Sequence, residues 1–304
     1  MKKKSQISEF LSEVSIEDYD SIYSKDIKDD SYFGLPLNSI IDAERRLRRK
    51  GEHSIAYFSM EYGLASSFYN VFNTSRPIHA SNKIQEHEIF SNFPLADYFF
   101  TLKIDNIIDL PLYSGGLGVL AGDTIKTMAD CKLPAVAVGI LWNTGYFRQK
   151  FWFKYGQIPE AMHWDPGSYP GLIPLKNRVK IILKSEQIYL KLWKYYVYSY
   201  THDYALPLIL LDSNIEPNNE KIRHLTDQLY RSDDVWIKIM QRVILGMGGI
   251  LALEELGYNI DIHHLNEGHA VFAFVGKARR LSGNNTIEKL KKRFVYTCHT
   301  PVEA

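Results

Sequence analysis

The chain has 304 residues, 45% of them hydrophobic and 23% charged, with a formal net charge of +1. That length and apolar content suffice for a sizeable core, as one large domain or two modest ones. The near-zero charge gives no long-range attraction to nucleic acid or anionic membrane, so no polyanion partner is implied.

Residues 1 to about 30 are polar, rich in Ser, Asp, Lys and Glu, and read as a short amphipathic helix in a flexible lead-in. The opening Met-Lys-Lys-Lys-Ser runs into acidic residues and lacks the apolar centre of a secretory signal, which points to the cytoplasm. From Ile40 to Lys50 the pattern predicts a charged helix closed by Gly51, with basic residues in its last turn where the helix dipole favours them. Ser54 to Glu61 predicts a buried strand. Ala65 to Asp109 is the least regular stretch, an excursion over the sheet edge or part of an interface. The domain reading is a polar helical lead-in over 1–50 and one α/β lobe over 51–304, with the irregular excursion at 65–109.

Further along, Gly118 to Lys132 has helical spacing, and Ala135 to Leu141 is a continuous apolar run, the signature of a strand covered on both faces. Ile188 to Tyr200 alternates loosely and Leu206 to Leu211 is all apolar, which predicts two strands. Val235 to Leu256 predicts a long helix closed by Gly257. Its apolar centre, Val243 to Leu253, is interrupted by three glycines and falls short of the roughly 20 residues that span a bilayer. A strand at Ile260 to Leu265, a helix at Ala270 to Leu281 and a strand at Phe294 to Thr297 follow. This alternation predicts an α/β fold with a largely parallel sheet. Cys131 and Cys298 are far apart and read as reduced thiols packed in or near the core.

Three segments carry candidate chemistry. Ser114-Gly115-Gly116-Leu117-Gly118 leads into a helix, and glycines there let the unpaired amides and the helix dipole approach an anion. The G-x-G-x-x-G spacing of a dinucleotide site and the Gly-Lys-Ser/Thr of a Walker loop are both absent. His264-Leu265-Asn266-Glu267-Gly268-His269 and His299 in Thr297-Cys298-His299-Thr300-Pro301 both follow strands, where open α/β sheets bind ligands. The plainer reading of His263, His264, His269 and His299 is that they cap helices and satisfy turn carbonyls, and for His263 it is preferred. Without His-Glu-x-x-His spacing a zinc site is disfavoured, and Asn266 and Glu267 suit sugar hydroxyls better.

Together these segments resemble the glucan phosphorylases that degrade glycogen, starch and maltodextrin. The matching stretches are Ala56 to Leu64 (Ala-Tyr-Phe-Ser-Met-Glu-Tyr-Gly-Leu), Leu112 to Asp123 around the glycine turn, Gly145-Tyr146-Phe147-Arg148-Gln149, Leu245-Gly246-Met247-Gly248-Gly249, His264 to His269, and His299-Thr300-Pro301. The resemblance implies a Rossmann-like lobe of the two-lobed glycosyltransferase B architecture, with this chain as the N-terminal lobe. It implies phosphorolysis of terminal α-1,4-glucosyl units by inorganic phosphate, releasing glucose 1-phosphate. It also implies pyridoxal phosphate on a lysine of the C-terminal lobe, outside this chain. By the same resemblance Gly115, Gly116 and Leu117 present amides to phosphate, His299 contacts the transferred glucosyl unit, and Asn266, Glu267 and His269 line that cleft.

The family pattern continues beyond Ala304 into the rest of the lobe and a second lobe. The expectation is therefore half of a site, with a separate C-terminal lobe or a homodimer as the expected partner. A split-gene half, a truncated remnant and an expression fragment all fit it, and a catalytically silent binding lobe is the main alternative function. A starch- or glycogen-synthase-like transferase shares the fold and a Gly-Gly-Leu-Gly turn. Such enzymes place that turn close to the N-terminus, after a basic residue, and lack Ser-Met-Glu-Tyr-Gly upstream.

Overall fold

A computed structural model describes residues 31–32, 35–64, 110–146, 148–154, 156–160, 164–169, 171–184, 186–201, 203–231, 234–280 and 286–300. The flexible lead-in expected over residues 1 to about 30 and the excursion at 65–109 lie outside these residues. In chain order a two-residue hairpin, β1 (Ser31–Tyr32) and β2 (Leu35–Pro36), precedes α1 (Leu37–Arg48) and β3 (Ile55–Phe58). Then come α2 (Gly116–Asp130), β4 (Ala135–Ile140), the hairpin β5 (Arg148–Trp152) and β6 (Gly156–Glu160), β7 (Ile173–Leu183), β8 (Glu186–Tyr198) and β9 (Ala205–Asp212). The short α3 (Glu220–Arg223) leads to α4 (Val235–Val243), a π-turn at Ile244–Gly248, and α5 (Gly249–Glu255). β10 (Ile262–Asn266), α6 (Phe272–Ala278), α7 (Thr286–Lys291) and β11 (Phe294–Thr297) close the described chain.

The central sheet has seven strands in the order β11-β10-β3-β4-β9-β8-β7. It is parallel from β11 through β9, and β8 and β7 extend it antiparallel. The buried strands β4 and β9 are apolar almost throughout because helices cover both faces. β7, at the sheet end, instead alternates buried and exposed residues. β11 lies at the other end of this sheet among the described residues, and its Val295 and Tyr296 are exposed. From β3 the chain builds outward to β4 and β9 on one side, then returns to place β10 and β11 on the other. The boundary between β3 and β10 is therefore a topological switch point, and the carboxyl ends of these strands open one crevice.

The stretch Val235–Glu255 is helical throughout, long and apolar enough to cross a membrane by length and composition, yet it packs into the core. Its glycines explain how. A Cβ on Gly249 would lie 2.6 Å from Phe58 Cε1, one on Gly248 2.7 Å from Leu190 Cδ1, and one on Gly246 2.3 Å from the backbone nitrogen of Ala273. The first two let the helix settle onto the sheet, and the third lets α6 cross it at backbone contact. The neighbour of Gly246 is backbone and cannot move aside, so Gly246→Ala is expected to cost at least the roughly 1–3 kcal/mol of an overpacked core. A thermal melt checks this, and an unchanged Tm would refute the close crossing.

Both cysteines are exposed, contrary to the expected packing: Cys131 caps the C-terminus of α2, and Cys298 lies in the turn after β11. Both thiols sit at element ends, between polar neighbours: Asp130 and Lys132 for Cys131, Thr297 and His299 for Cys298.

Candidate active site

Three of the strands meeting at the switch point end in the predicted motifs. Register pairs Phe58 of β3 with Leu265 of β10, and Asn266 of β10 with Thr297 of β11, so Ser59–Glu61, Asn266–Glu267 and Cys298–His299 leave the sheet side by side. Asn266 is 2% exposed and its amide donates to Ser59 Oγ at 3.1 Å, a strap between the β3 and β10 ends rather than an open sugar contact. Its Oδ1 is buried without a partner among the described residues.

Glu267 sits at φ +67° and ψ 171°, a region that residues with a Cβ rarely occupy. Its backbone amide donates to Thr297 O at 2.9 Å, and its Oε1 accepts the amides of His299 at 2.5 Å and Thr300 at 2.8 Å. Burial acts to raise this carboxyl, but the two amides outweigh it and hold it below the usual carboxylate range. Glu267 therefore anchors the backbone of the turn after β11, while the His299 side chain stays exposed.

His269 is half-buried, with its ring against Tyr230 at 5.6 Å between centroids. Burial, reinforced by the positive Arg242 and Lys238, pushes it down to about 4, so it is a neutral imidazole at neutral pH. His264 donates to or accepts from Thr297 Oγ1 at 2.7 Å and is lowered by burial and by the nearby His299. His263 serves structure, as expected, although as a core ring rather than a cap: it is 1% exposed and stacks on Phe294 at 4.9 Å.

Burial, with Lys277 adding to it, pushes His263 down to about 3. The fold thus favours neutral His263, and its contribution is complete above the unfolded value of about 6.5 and is lost as pH falls toward 3. Stability should drop between pH 7 and pH 5 by about 2 kcal/mol from this residue alone. His263→Phe keeps the aromatic stack and should flatten that slope in urea titrations at the two pH values. An unchanged slope would remove His263 as its source.

The glycine turn is built as a helix start. α2 begins at Gly116 with Gly115 as its N-cap residue, and the amides of Gly116 and Leu117 have no partner among the described residues. A Cβ on Gly115 or Gly116 would meet nothing within 4 Å, so neither packing nor backbone twist demands glycine there. Their effect is to leave the amides uncovered. The Gly115 amide itself donates to Glu61 Oε2 at 3.3 Å, beside that of Ser114 at 2.8 Å, which leaves the open donors at Gly116 and Leu117. Glu61 is 2% exposed and its other oxygen takes the Tyr230 hydroxyl in a short hydrogen bond.

Glu61 and Tyr230 are central to this site. Glu61 stands inside the Ser-Met-Glu-Tyr-Gly stretch, which had marked the family without a role for the carboxylate. Tyr230 carried no sequence signal. Among the described residues no group of three or more His, Cys, Asp or Glu could hold a metal ion.

A mostly parallel sheet with its motifs gathered at the carboxyl side of a switch point defines a Rossmann-like lobe. No family model matches the chain. It is 29% identical over 255 residues to the glycogen phosphorylase of Mycobacterium tuberculosis, covering 76% of this chain and 28% of that protein. It is 33% identical over 209 residues to the maltodextrin phosphorylase of Thermococcus litoralis, covering 64% of this chain and 24% of that one. A glycogen phosphorylase of Aquifex aeolicus is 28% identical over 207 residues, covering 64% of this chain and 28% of its own length. The chain is thus related to the glucan phosphorylases over about two thirds to three quarters of its own length. It spans about a quarter of the length of these curated relatives.

Proposed function

We propose that this chain is the N-terminal lobe of an α-glucan phosphorylase, binding the end of an α-1,4-glucan and a phosphate group in the crevice at the ends of β3, β10 and β11. The observation that carries this reading is the pair of uncovered amides at Gly116 and Leu117, held beside His269 through Glu61 and Tyr230. Helix-start amides are preorganised donors for an anion and need no reorganisation as charge develops. His299 and the neutral His269 supply donors and acceptors for sugar hydroxyls from the same side. Glu267 fixes where His299 stands.

Pyridoxal phosphate fits the reading as a group held on a second lobe, with the open Gly116 and Leu117 amides as this chain's donors toward its phosphate. When bound, it supplies a phosphate that donates and accepts the proton of phosphorolysis. This lobe's own part is to orient the terminal glucosyl unit, exclude water and place amide dipoles near the negative charge of the phosphate.

Binding tests this directly. In amide-resolved NMR of the chain, glucose 1-phosphate and maltoheptaose are expected to shift Gly116, Leu117, His269 and His299 while leaving β7 and β8 unmoved. Shifts confined to other regions, or none at millimolar ligand, would overturn the proposal. By itself the chain should release no glucose 1-phosphate from glycogen, orthophosphate and pyridoxal phosphate. Turnover above blank would show that one lobe suffices.

A further inference from the structure

Ser59-Met60-Glu61-Tyr62-Gly63 follows β3, and the proposed chemistry gives its carboxylate no task. Glu61 is nevertheless 2% exposed in the middle of the site. Burying a carboxylate is costly unless hydrogen bonds satisfy it, and Glu61 is satisfied by two separate elements. Oε2 accepts the backbone amides of Ser114 and Gly115, with the Ser114 hydroxyl at 3.5 Å. Oε1 accepts the Tyr230 hydroxyl. The fit is close on the helix side as well, because a Cβ on Gly118 would lie 2.8 Å from Glu61 Oε2 and 2.5 Å from Tyr113 Cβ.

Tyr230 itself sits at φ +58°, which a bulky residue adopts only where its surroundings impose it. Just before it, Leu229 N donates to Gly145 O at 3.0 Å, and Gln241 on α4 holds the carbonyls of Leu225 and Gln228 at 3.0 Å each. The hydroxyl is therefore delivered to Glu61 by a segment tied to α4 and to the turn after β4, not by a free loop.

We propose that Glu61 and Tyr230 form a latch that sets the glycine turn: Glu61 takes the Ser114 and Gly115 amides inward, so that the next two, Gly116 and Leu117, face outward, and Tyr230 fixes the carboxylate in the position that does so. Both are positioning residues, acting on a ligand only through the backbone of the turn. Part of the inference, the effect on phosphate affinity, rests on the function proposed above. The geometric part does not.

Tyr230→Phe removes one oxygen and keeps the ring against His269, and Glu61→Gln keeps the shape of Glu61 while replacing one acceptor oxygen by a donor. Two readouts are taken on the full chain. Without ligand, the Ser114, Gly115, Gly116 and Leu117 amides of either variant are expected to shift in TROSY spectra and to exchange with solvent at least about tenfold faster, with the Tm of Tyr230→Phe within a few degrees of the parent. With orthophosphate as probe, affinity should fall about tenfold in Tyr230→Phe, an effect that a merely structural hydroxyl would not produce at unchanged Tm. Unmoved amides in both variants would overturn the latch. If the parent chain binds no orthophosphate, the proposed function falls, and the ligand-free shifts and exchange rates still decide the latch. Should Glu61→Gln fail to fold, Tyr230→Phe decides alone.

Discussion

His299→Ala is expected to lower turnover by about 100- to 1000-fold in the enzyme formed with a cofactor-bearing second lobe, the scale of removing one preorganised donor from a transition state. Its Tm should stay within a degree or two. The two effects separate because the structure divides the labour at this turn. The position of residue 299 is set through its backbone amide, which Glu267 holds at 2.5 Å, and truncating the exposed imidazole leaves that hydrogen bond intact. Glu267→Ala should do the reverse: the His299 and Thr300 amides lose their acceptor, and turnover falls together with stability. Steady-state rates and melts on the two variants distinguish these cases, and turnover of His299→Ala within threefold of the parent would reduce His299 to a surface residue.

What the sequence disclosed follows from how local each feature is. β11 is found at the predicted Phe294–Thr297, and β4 and β9 are found where continuous apolar runs predict them, because strands covered on both faces write their burial into consecutive residues. β7 was not legible. It places Lys176, Asn177, Arg178 and Lys180 among its apolar residues at the sheet end, so half its pattern resembles a polar loop. The helix predicted from Ala270 begins only at Phe272, since Gly268–Ala270 first forms a 3-10 turn that carries His269 toward Tyr230.

The candidate site shows the same divide. Strand-end motifs declare themselves by type and position, and Gly116, Leu117, His269 and His299 lie where three adjacent elements bring them. The roles of Asn266, Glu267 and Glu61 depend on partners that no local window contains. Glu61 meets Ser114 53 residues along the chain and Tyr230 169 residues along it, and Glu267 meets His299 at 32. The sequence presents Asn266 and Glu267 as polar groups at a strand end, and only the fold shows that Asn266 donates to the Ser59 hydroxyl and that Glu267 accepts the His299 and Thr300 amides.

At the opposite end of the lobe, Glu44→Gln is expected to destabilise the chain by about 3–5 kcal/mol, the scale of breaking a buried ion pair by removing one partner. Glu44 on α1 is fully buried, and its carboxylate accepts from Lys194 Nζ at 2.7 Å, Tyr196 Oη at 2.8 Å and Tyr258 Oη at 2.7 Å, with Arg48 in a further short contact. One anion thus ties α1 to β8 and to the turn after α5. Burial opposes its charge, but Lys194 and Arg48 outweigh it and hold the carboxyl well below the usual range. Arg48 retains the face of Tyr258 at 4.7 Å when Glu44 is lost, whereas Lys194, 2% exposed, retains no paired anion among the described residues. Burial already pulls Lys194 below its ordinary range, and without the carboxylate the folded chain should favour its neutral amine. The folded state of the variant then binds fewer protons than the unfolded state over a wider pH range than in the parent, so its stability should climb more steeply than the parent's as pH rises from 7 toward 10. Adding Lys194→Met to Glu44→Gln removes the stranded charge and should recover much of the loss while abolishing that pH dependence. Urea titrations of the parent, single and double variants at pH 7 and pH 9 test this, and a single variant within 1 kcal/mol of the parent by that measure would mean that α1 is held by its apolar face, Ile40, Ile41 and Leu47, and not by the buried anion.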